Sequence, residues 1–389
     1  MNRLVGNAQL IQKVNRLKVL NYIRRNPDVA RPAVAHQTGL SVASLTNITT
    51  YLLDKGLIAE NGTETVARVG RKGTLLRFKA DTYGLICVFL NMKSVNIAYT
   101  DLEGRVIANI LADTDSLKPR DFIDTVHEGI SFLVEKYDKK QILGIEIAIS
   151  GLVLDGSRFV LSSSLKWTEF NLKDELESET GIPVFIDNVT DVKAAWYFHS
   201  EKQNRKDNML MVDLENGIGA CQFYKGEMNR AMIGEIGHTT VEKDGEPCFC
   251  GNRGCLEAMC SVPRILQLYA DYSGCGTVSS KELVQKLENG DQIAIRAVRE
   301  CSQYLGIGLA NLVNLCKPSV IAINTGGEKL LCHVIKFAVP ELKRRAYPAL
   351  LEELNICEVS ISDEDAMRGA AFNLCDRIFD LAFEGNIID

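Results

Sequence analysis

Between residues 245 and 261 the chain reads GEPCFCGNRGCLEAMCS, four cysteines within thirteen residues with glycines threaded between them. No other stretch restricts the fold as tightly. A structural zinc ion takes four tetrahedral nitrogen or sulfur ligands, and two ligands close in sequence reach one ion only where the loop turns sharply. Cys248 and Cys250 form such a pair, Gly251 and Gly254 allow the turn, and Cys255 follows. A fourth ligand stands ready at His238, in GEIGHTT. The spacing therefore predicts a closed set of His238, Cys248, Cys250 and Cys255 on a structural Zn2+, with no open position for a metal-activated water. Cys260 falls in a helical stretch and is expected to be a buried thiol.

Composition sets where such a loop operates. No apolar run approaches the ~18 residues of a membrane helix, and the opening MNRLVGNAQLIQK lacks the apolar core and cleavage site of a signal peptide. We expect a cytoplasmic protein without a membrane partner, its thiols reduced or metal-bound. The net charge of −6 hides a split, because residues 1–80 carry 13 Lys and Arg against 4 Asp and Glu. A basic module thus precedes an acidic one, as suits a polyanionic partner at one end.

The basic module has the pattern of a DNA reader. Leu10, Val14, Leu17, Leu20 and Ile23 recur at three- and four-residue steps, which predicts a helix over 7–25; a second fits 31–37, closed by Thr38-Gly39. Ser41 then caps a third helix. Its Val42, Leu45, Ile48 and Leu52 are expected to face inward, and Ala43, Ser44, Thr46, Asn47 and Thr50 outward. Helix, tight turn and capped helix make a helix-turn-helix, whose second helix enters the major groove. GLIAENGTETVARVGRKGTLLRF then reads as a β-hairpin, the wing, with Arg68, Arg71 and Lys72 placed for phosphates. Arg24, Arg25 and Arg31 are expected to add to that attraction, because the third helix has no outward Lys or Arg of its own. A dimerisation or docking module of three helices is the alternative.

From about residue 81 strands and helices alternate. GLICVFLNMKSVNIAYTDLEGRVI reads as a strand hairpin, QILGIEIAIS and PVFIDN as buried strands, NMLMVDL as the start of a second strand set, and PSVIAINTGGEKL as a strand, glycine turn and helix. Helices fit 121–137, 281–315 in two pieces, and 364–384. KADTYG, 79–84, is the one linker candidate. These patterns predict an α/β chain of two lobes about a cleft.

GEIGHTTVEKDGEPCFCGNRGCLEAMCS resembles the signature of the ROK family (repressors, open reading frames, kinases), Gly-Glu-x-Gly-His followed by Cys-x-Cys-Gly-x-x-Gly-Cys-x-Glu. ISGLVLDG, the Leu-x-Trp of SSLKWTEF, GIPVFIDN, ENGIGA, INTGGE and RGAA match further segments of that family, so the resemblance spans essentially the whole chain. With its N-terminal module the chain is similar to the repressor branch, the xylose, glucose-mannose and N-acetylglucosamine regulators. The resemblance implies a winged helix-turn-helix (1–80) ahead of a two-lobed, actin-like sugar-kinase fold (81–389, zinc loop 238–255). It also implies a homodimer or tetramer, operator DNA as partner and a small sugar as effector. Matched by motif, Glu235, His238 and Glu257 bind sugar hydroxyls, with His238 holding zinc through its other ring nitrogen.

Family kinases place a catalytic base after a Glu-Asn pair, and this chain has FIDNVTDVKAAW. One register keeps Asp187 and Asn188 and puts Val189 at the base position, which favours a pentose or deoxy-sugar; the other, with a two-residue insertion, keeps an acid at Asp191. Both registers stay open, and the expected effector set is Asn188, Asp191, Glu235, His238 and Glu257. The kinase phosphate turns are degenerate. FLNMKSVN has no glycine, and LENGIG carries Glu215 and Asn216 in place of a Gly-Thr pair. A carboxylate there repels a triphosphate, so the expected function is sugar-controlled repression rather than phosphoryl transfer. An active sugar kinase with a regulatory head, and a regulator run by a protein partner, are the rivals.

Overall fold

The apolar spacing of the first segment closes into α1 (Ala8–Arg25) in the computed structural model, which describes residues 8–63, 74–90, 94–113, 118–154, 158–162, 165–168, 171–200, 208–215, 217–232 and 234–380. After β1 (Val29–Ala30) comes α2 (Arg31–Thr38), with Pro32 in its first turn, where a missing N–H costs nothing. Gly39, at φ 71°, ends it and donates its N–H to Ala35. The Ser41 hydroxyl accepts the Ser44 N–H at 3.2 Å and so starts α3 (Val42–Asp54). Leu45, Ile48 and Leu52 are buried as expected, but Val42 is 75% exposed. It is the first residue of the helix, and the buried stripe begins one turn later at Leu45. β2 (Ile58–Thr63) pairs antiparallel with β3 (Thr74–Phe78), and β1 adds to the other edge of β3. The wing tip, with Arg68, Arg71 and Lys72, lies outside the described residues.

Two five-stranded sheets follow, built on one plan. The first is formed by β4 (Gly84–Leu90), β5 (Ser94–Asp101), β6 (Val106–Asp113), α4 (Pro119–Lys136) and β7 (Ile142–Ile149), then β8 (Leu152–Leu154), β9 (Arg158–Ser162), β10 (Trp167–Thr168), α5 (Leu172–Thr180), β11 (Val184–Asn188) and α6 (Val189–Ser200). Its order is β11-β7-β4-β5-β6, with β8 to β10 forming a small sheet of their own. The second lobe runs through β12 (Asn208–Asp213), β13 (Gly219–Tyr224), β14 (Glu227–Met228), α7 (Leu256–Cys260), α8 (Val262–Ser273), α9 (Ser280–Glu288), α10 (Gln292–Cys316), β15 (Val320–Asn324), α11 (Lys329–Arg345), β16 (Asn355–Val359) and α12 (Asp363–Ile378). Its order, β14-β13-β12-β15-β16, repeats the first. In each sheet three antiparallel strands are extended by two parallel ones. ILGIEIAI and VIAIN are apolar almost throughout because both faces of those central strands are covered.

Each sheet sends its last helix to the other lobe. α6 leaves β11 and packs Ala194, Ala195 and Phe198 on Met209, Met211 and Phe223 of the second sheet. α12 leaves β16 and packs Ala370, Ala371 and Leu374 with Cys87, Phe89 and Ala148 of the first. The two helices touch backbone to side at Gly369, where a Cβ would stand 1.9 Å from the Val192 carbonyl oxygen.

The N-terminal elements are fastened to this frame. Leu17, Leu20 and Ile23 of α1 share one core with Phe78 of β3, with Met367 and Leu374 of α12 and with Phe379 just beyond it. The Phe78 and Phe379 rings meet edge to face at 6.2 Å, and the Asn21 side chain donates to the Phe379 carbonyl at 3.0 Å. The expected linker at 79–84 is instead pinned on both sides. Lys79 N–H donates to Leu57 O at 2.9 Å, the Thr82 hydroxyl to Gly56 O at 2.7 Å, and Leu102 N–H to Ala80 O at 3.1 Å. Two of these bonds are made by the backbone, which no reading of side-chain polarity could reveal. Among the described residues no helix is long and apolar enough to cross a membrane.

Candidate metal centre and ligand cleft

The cysteine loop folds back on itself through two isolated β-bridges, Thr240 with Cys255 and Pro247 with Arg253. Gly254 makes this possible. At φ 67° it passes so close to the Glu242 carbonyl oxygen that a Cβ would lie 1.6 Å away. The result gathers His238, Cys248, Cys250 and Cys255, with all four donor atoms within 4.8 Å of one another. His238 Nδ1 lies 3.5 Å from Cys248 Sγ, and Cys250 Sγ lies 3.7 Å from Cys255 Sγ. Bonds of about 2.3 Å to sulfur and about 2.0–2.1 Å to nitrogen put tetrahedral donors about 3.5–3.8 Å apart, so the set has the dimensions to hold a metal ion. Cys260 is buried apart from this group, as expected.

The other face of His238 looks into the second lobe's edge. Its Nε2 lies 3.8 Å from Glu235 Oε2, and burial holds the Glu235 carboxyl above its ordinary range despite the imidazole. Glu257, on α7, accepts the Ile218 N–H at 3.0 Å and lies over Gly217. Glu235, His238 and Glu257 are thus neighbours. Glu257 and Cys248 also line a cavity of about 350 Å³.

Asn188 and Asp191 line a different and larger cavity, about 740 Å³, bounded by β11, the start of α6, residues 227–232, α12 and α1. Asn188 is spoken for on both sides, donating to Gly151 O at 2.7 Å and accepting the Thr190 N–H at 2.7 Å. Val189 is turned into the core under α12, whereas Asp191 opens onto the cavity. Burial, and then the charge of Asp187, pushes the Asp191 carboxyl up to about 7, against a bond to the Cys221 thiol and the pull of Arg230 and Arg377. Asp187 itself accepts from Arg230 at 3.2 Å and from Arg377 and Asn373. Burial would raise it, but Arg377 and Arg230 hold it below the ordinary range. Beside it Glu146 of β7 is fully buried, and burial keeps its carboxyl protonated well above that range. Arg230, Arg377 and Asn373 were not foreseen, and no local signal marks them, since their partners stand far away in the chain.

On α3, Ala43, Ser44, Thr46, Asn47 and Thr50 are exposed, and the Thr46 hydroxyl is bonded back to Val42 O at 2.8 Å. Arg31 pairs with Glu60 at 2.7 Å near the base of the wing. Arg24 departs from expectation. Its guanidinium is turned inward onto Asp376 of α12, leaving the side chain 11% exposed, so it does not face outward with α3.

A profile of the ROK family matches residues 86–376, from β4 to α12. The chain belongs to the ROK family. This ROK chain is 26% identical over 340 residues to the xylose repressor of Caldicellulosiruptor bescii, covering 82% of this chain and 84% of that one. It is 25% identical over 373 residues to the DNA-binding transcriptional dual regulator NagC of Escherichia coli, covering 90% and 91%. Among solved structures it is similar to a ROK family transcriptional regulator, a homolog of the E. coli MLC protein, with a TM-score of 0.77, 24% identity and coverage of 93% and 96%. A ROK family glucokinase from Streptomyces griseus, solved with glucose and AMPPNP, superposes with a TM-score of 0.60, 20% identity and coverage of 74% and 98%. The mixed α/β ROK fold is therefore shared with regulators and sugar kinases alike.

In this ROK chain the turn after β12 is tied by a buried cation. Lys193 of α6, 1% exposed, donates to Asp213 at 2.8 Å and to Glu215 at 2.6 Å. Asn324 donates to the other oxygen of Asp213 at 2.8 Å. Burial would lower the Lys193 ammonium, but Asp213 and Glu215 raise it, so it stays charged. The Glu215 carboxyl carbon sits 2.6 Å from where a Cβ of Gly326 would be. An acid thus occupies the bare space above the glycine turn that precedes α11. Asn216 and the 91–93 part of the first turn lie outside the described residues.

Proposed function

We propose that this ROK protein is a sugar-responsive transcriptional repressor, with a winged helix-turn-helix in residues 1–80 and an effector and oligomerisation domain in 81–389. The observation that carries the reading is α3. Its outer face of Ala43, Ser44, Thr46, Asn47 and Thr50 is exposed while Leu45, Ile48 and Leu52 are buried beneath it, in a chain whose relatives are named a xylose repressor and a DNA-binding transcriptional dual regulator. Small and amide side chains at such spacing read base edges, and Arg31 with Arg68, Arg71 and Lys72 supplies the phosphate attraction. A homodimer or tetramer sets two such helices on a near-palindromic operator.

The effector is a small sugar whose candidate contacts fall in two groups, Glu235, His238 and Glu257 beside the cysteine loop and Asn188 with Asp191 in the larger cavity; in either, carboxylates accept from vicinal hydroxyls. Zinc on His238, Cys248, Cys250 and Cys255 fits the donor distances and supplies rigidity rather than chemistry. His238 turns Nδ1 to Cys248 and Nε2 to Glu235, so an ion held by the four residues would keep the imidazole in place. Replacing Cys255 with serine is expected to weaken zinc binding by more than about 10-fold and to lower the unfolding midpoint, read by metal analysis and calorimetry. Full metal content in that variant would remove Cys255 from the set.

The test of the whole reading is thermal unfolding of the zinc-loaded chain against free, amino, deoxy and phosphorylated sugars, D-xylose first because of the relatives' names. A ligand at about 100 times its dissociation constant adds about 2.7 kcal/mol, a visible shift. The sugar that shifts it should release operator DNA, and no shift with any sugar would defeat the reading. One observation favours a kinase instead, because a carboxyl held near 7 in a cavity, as at Asp191, suits a general base. Glu215 over the glycine turn argues the opposite, and we expect no sugar-dependent ADP release from MgATP in a coupled assay.

A further inference from the structure

We propose that two consecutive residues of α12, Asp376 and Arg377, couple the ligand cleft to the DNA-binding head. The proposal rests on the repressor reading above and adds to it the residues that carry the signal.

Adjacent residues on a helix point about 100° apart, so they can grip different neighbours while moving as one body. Asp376 does so toward the N-terminus. Its carboxylate accepts the Arg24 guanidinium of α1 on one oxygen and faces His199 Nε2 of α6 at 3.1 Å on the other. Burial would raise this acid, yet Arg24 and then His199 hold it well below the ordinary range. Arg377 reaches the other way, onto Asp187 at the end of β11, one residue before Asn188. Arg230, from the second lobe, shares that carboxylate at 3.2 Å and bonds Asn373 of α12 at 2.6 Å.

The cavity itself has the head as one wall. Asn21, Arg24 and Arg25 of α1 line the same 740 Å³ space as Asn188 and Asp191. A ligand that draws Asp187 or Arg230 toward its hydroxyls loosens the hold on Arg377. Because α12 is rigid, the displacement reaches Asp376 and, through Arg24, the helix on which α2 and α3 are packed. Breaking an ion pair this enclosed leaves a charge without its partner, so a ligand-driven shift of α12 is expected to be a discrete step rather than a graded one.

The experiment uses the full-length, zinc-loaded chain, an operator selected by that chain from random duplexes, and the sugar picked out by thermal shift. Operator affinity is measured with and without the sugar in wild type, Arg24→Gln, Asp376→Asn and the swapped pair R24D/D376R. The wild type should show a response in the ordinary range of coupling, about 5- to 150-fold. In R24Q and D376N the response should fall below about 2-fold at a sugar concentration that saturates each variant, and the swapped pair should regain part of it. An R24Q that responds like wild type overturns the proposal. So does an R24Q whose operator affinity loses about one unit of salt slope, which would make Arg24 a phosphate contact. Loss of the thermal shift in R24Q would make Arg24 a ligand contact and overturn it equally. A wild type that no sugar shifts or releases defeats the repressor reading itself, and the coupling with it.

Discussion

Asp191 holds a proton at a pH where an exposed aspartate has long since lost it. With a folded value of about 7 against about 3.9 in an open chain, the native state binds one proton more than the unfolded state between those limits. Its contribution to stability is therefore full below about pH 4 and is lost as pH rises through 7. Asp191→Asn keeps the shape and removes the titration, so its unfolding midpoint should gain on the wild type between pH 5 and pH 8. An equal difference at both values would show that Asp191 is ionised throughout. Single residues were legible where their partners are close in sequence. The His238, Cys248, Cys250 and Cys255 cluster spans eighteen positions, and its gathering was readable from spacing and glycine alone. Arg24 was not, because its partner is 352 residues away, and a basic residue in a basic module gives no local sign of being buried. Val189 and Asp191 posed the same difficulty, since periodicity at the start of a helix does not say which side meets a cavity.

At the scale of elements, the segments read as helices and strands form them, whereas α5, α6, α8 and the small β8 to β10 sheet were not foreseen, and other departures fell at ends. Val42 was expected inside on spacing alone, but at the first position of α3 it precedes the buried stripe. What spacing did predict is the outer face, and Asn47→Ala should lower specific operator affinity about 10- to 100-fold while leaving binding to unrelated duplex nearly unchanged, as measured by fluorescence anisotropy. Equal losses on both DNAs would turn Asn47 into a backbone contact. The crossing of α6 and α12 was invisible in sequence beyond the small-residue run RGAA. There Gly369→Ala must push the helices apart and is expected to cost about 1–3 kcal/mol of stability, read from urea unfolding. A neutral substitution would mean that the helices have slack.

For the molecule as a whole, the repeated sheet order shows why a two-lobed α/β chain could be inferred while its cross-tie could not. Strand runs are local, whereas the exchange of α6 and α12 between lobes depends on which surface each helix meets after the chain has turned. If sugar and operator favour different arrangements of this frame, linkage makes the effect reciprocal. The factor by which the sugar weakens operator binding must equal the factor by which operator weakens sugar binding. Titration calorimetry with sugar into free and operator-bound protein checks this, and unequal factors would mean a further species in the mixture.

The shared core of α1, β3 and α12 also orders events during synthesis. Leu17, Leu20 and Ile23 leave the ribosome long before the residues that close over them, Met367 to Phe379, are made, since Arg24 and Asp376 stand 352 positions apart. Until α12 is made, α1 therefore has an open flank and Arg24 has no Asp376. A chain cut short before α12 keeps α3 yet lacks the surface that seats α1, so the geometry that presents α3 is finished only when α12 arrives.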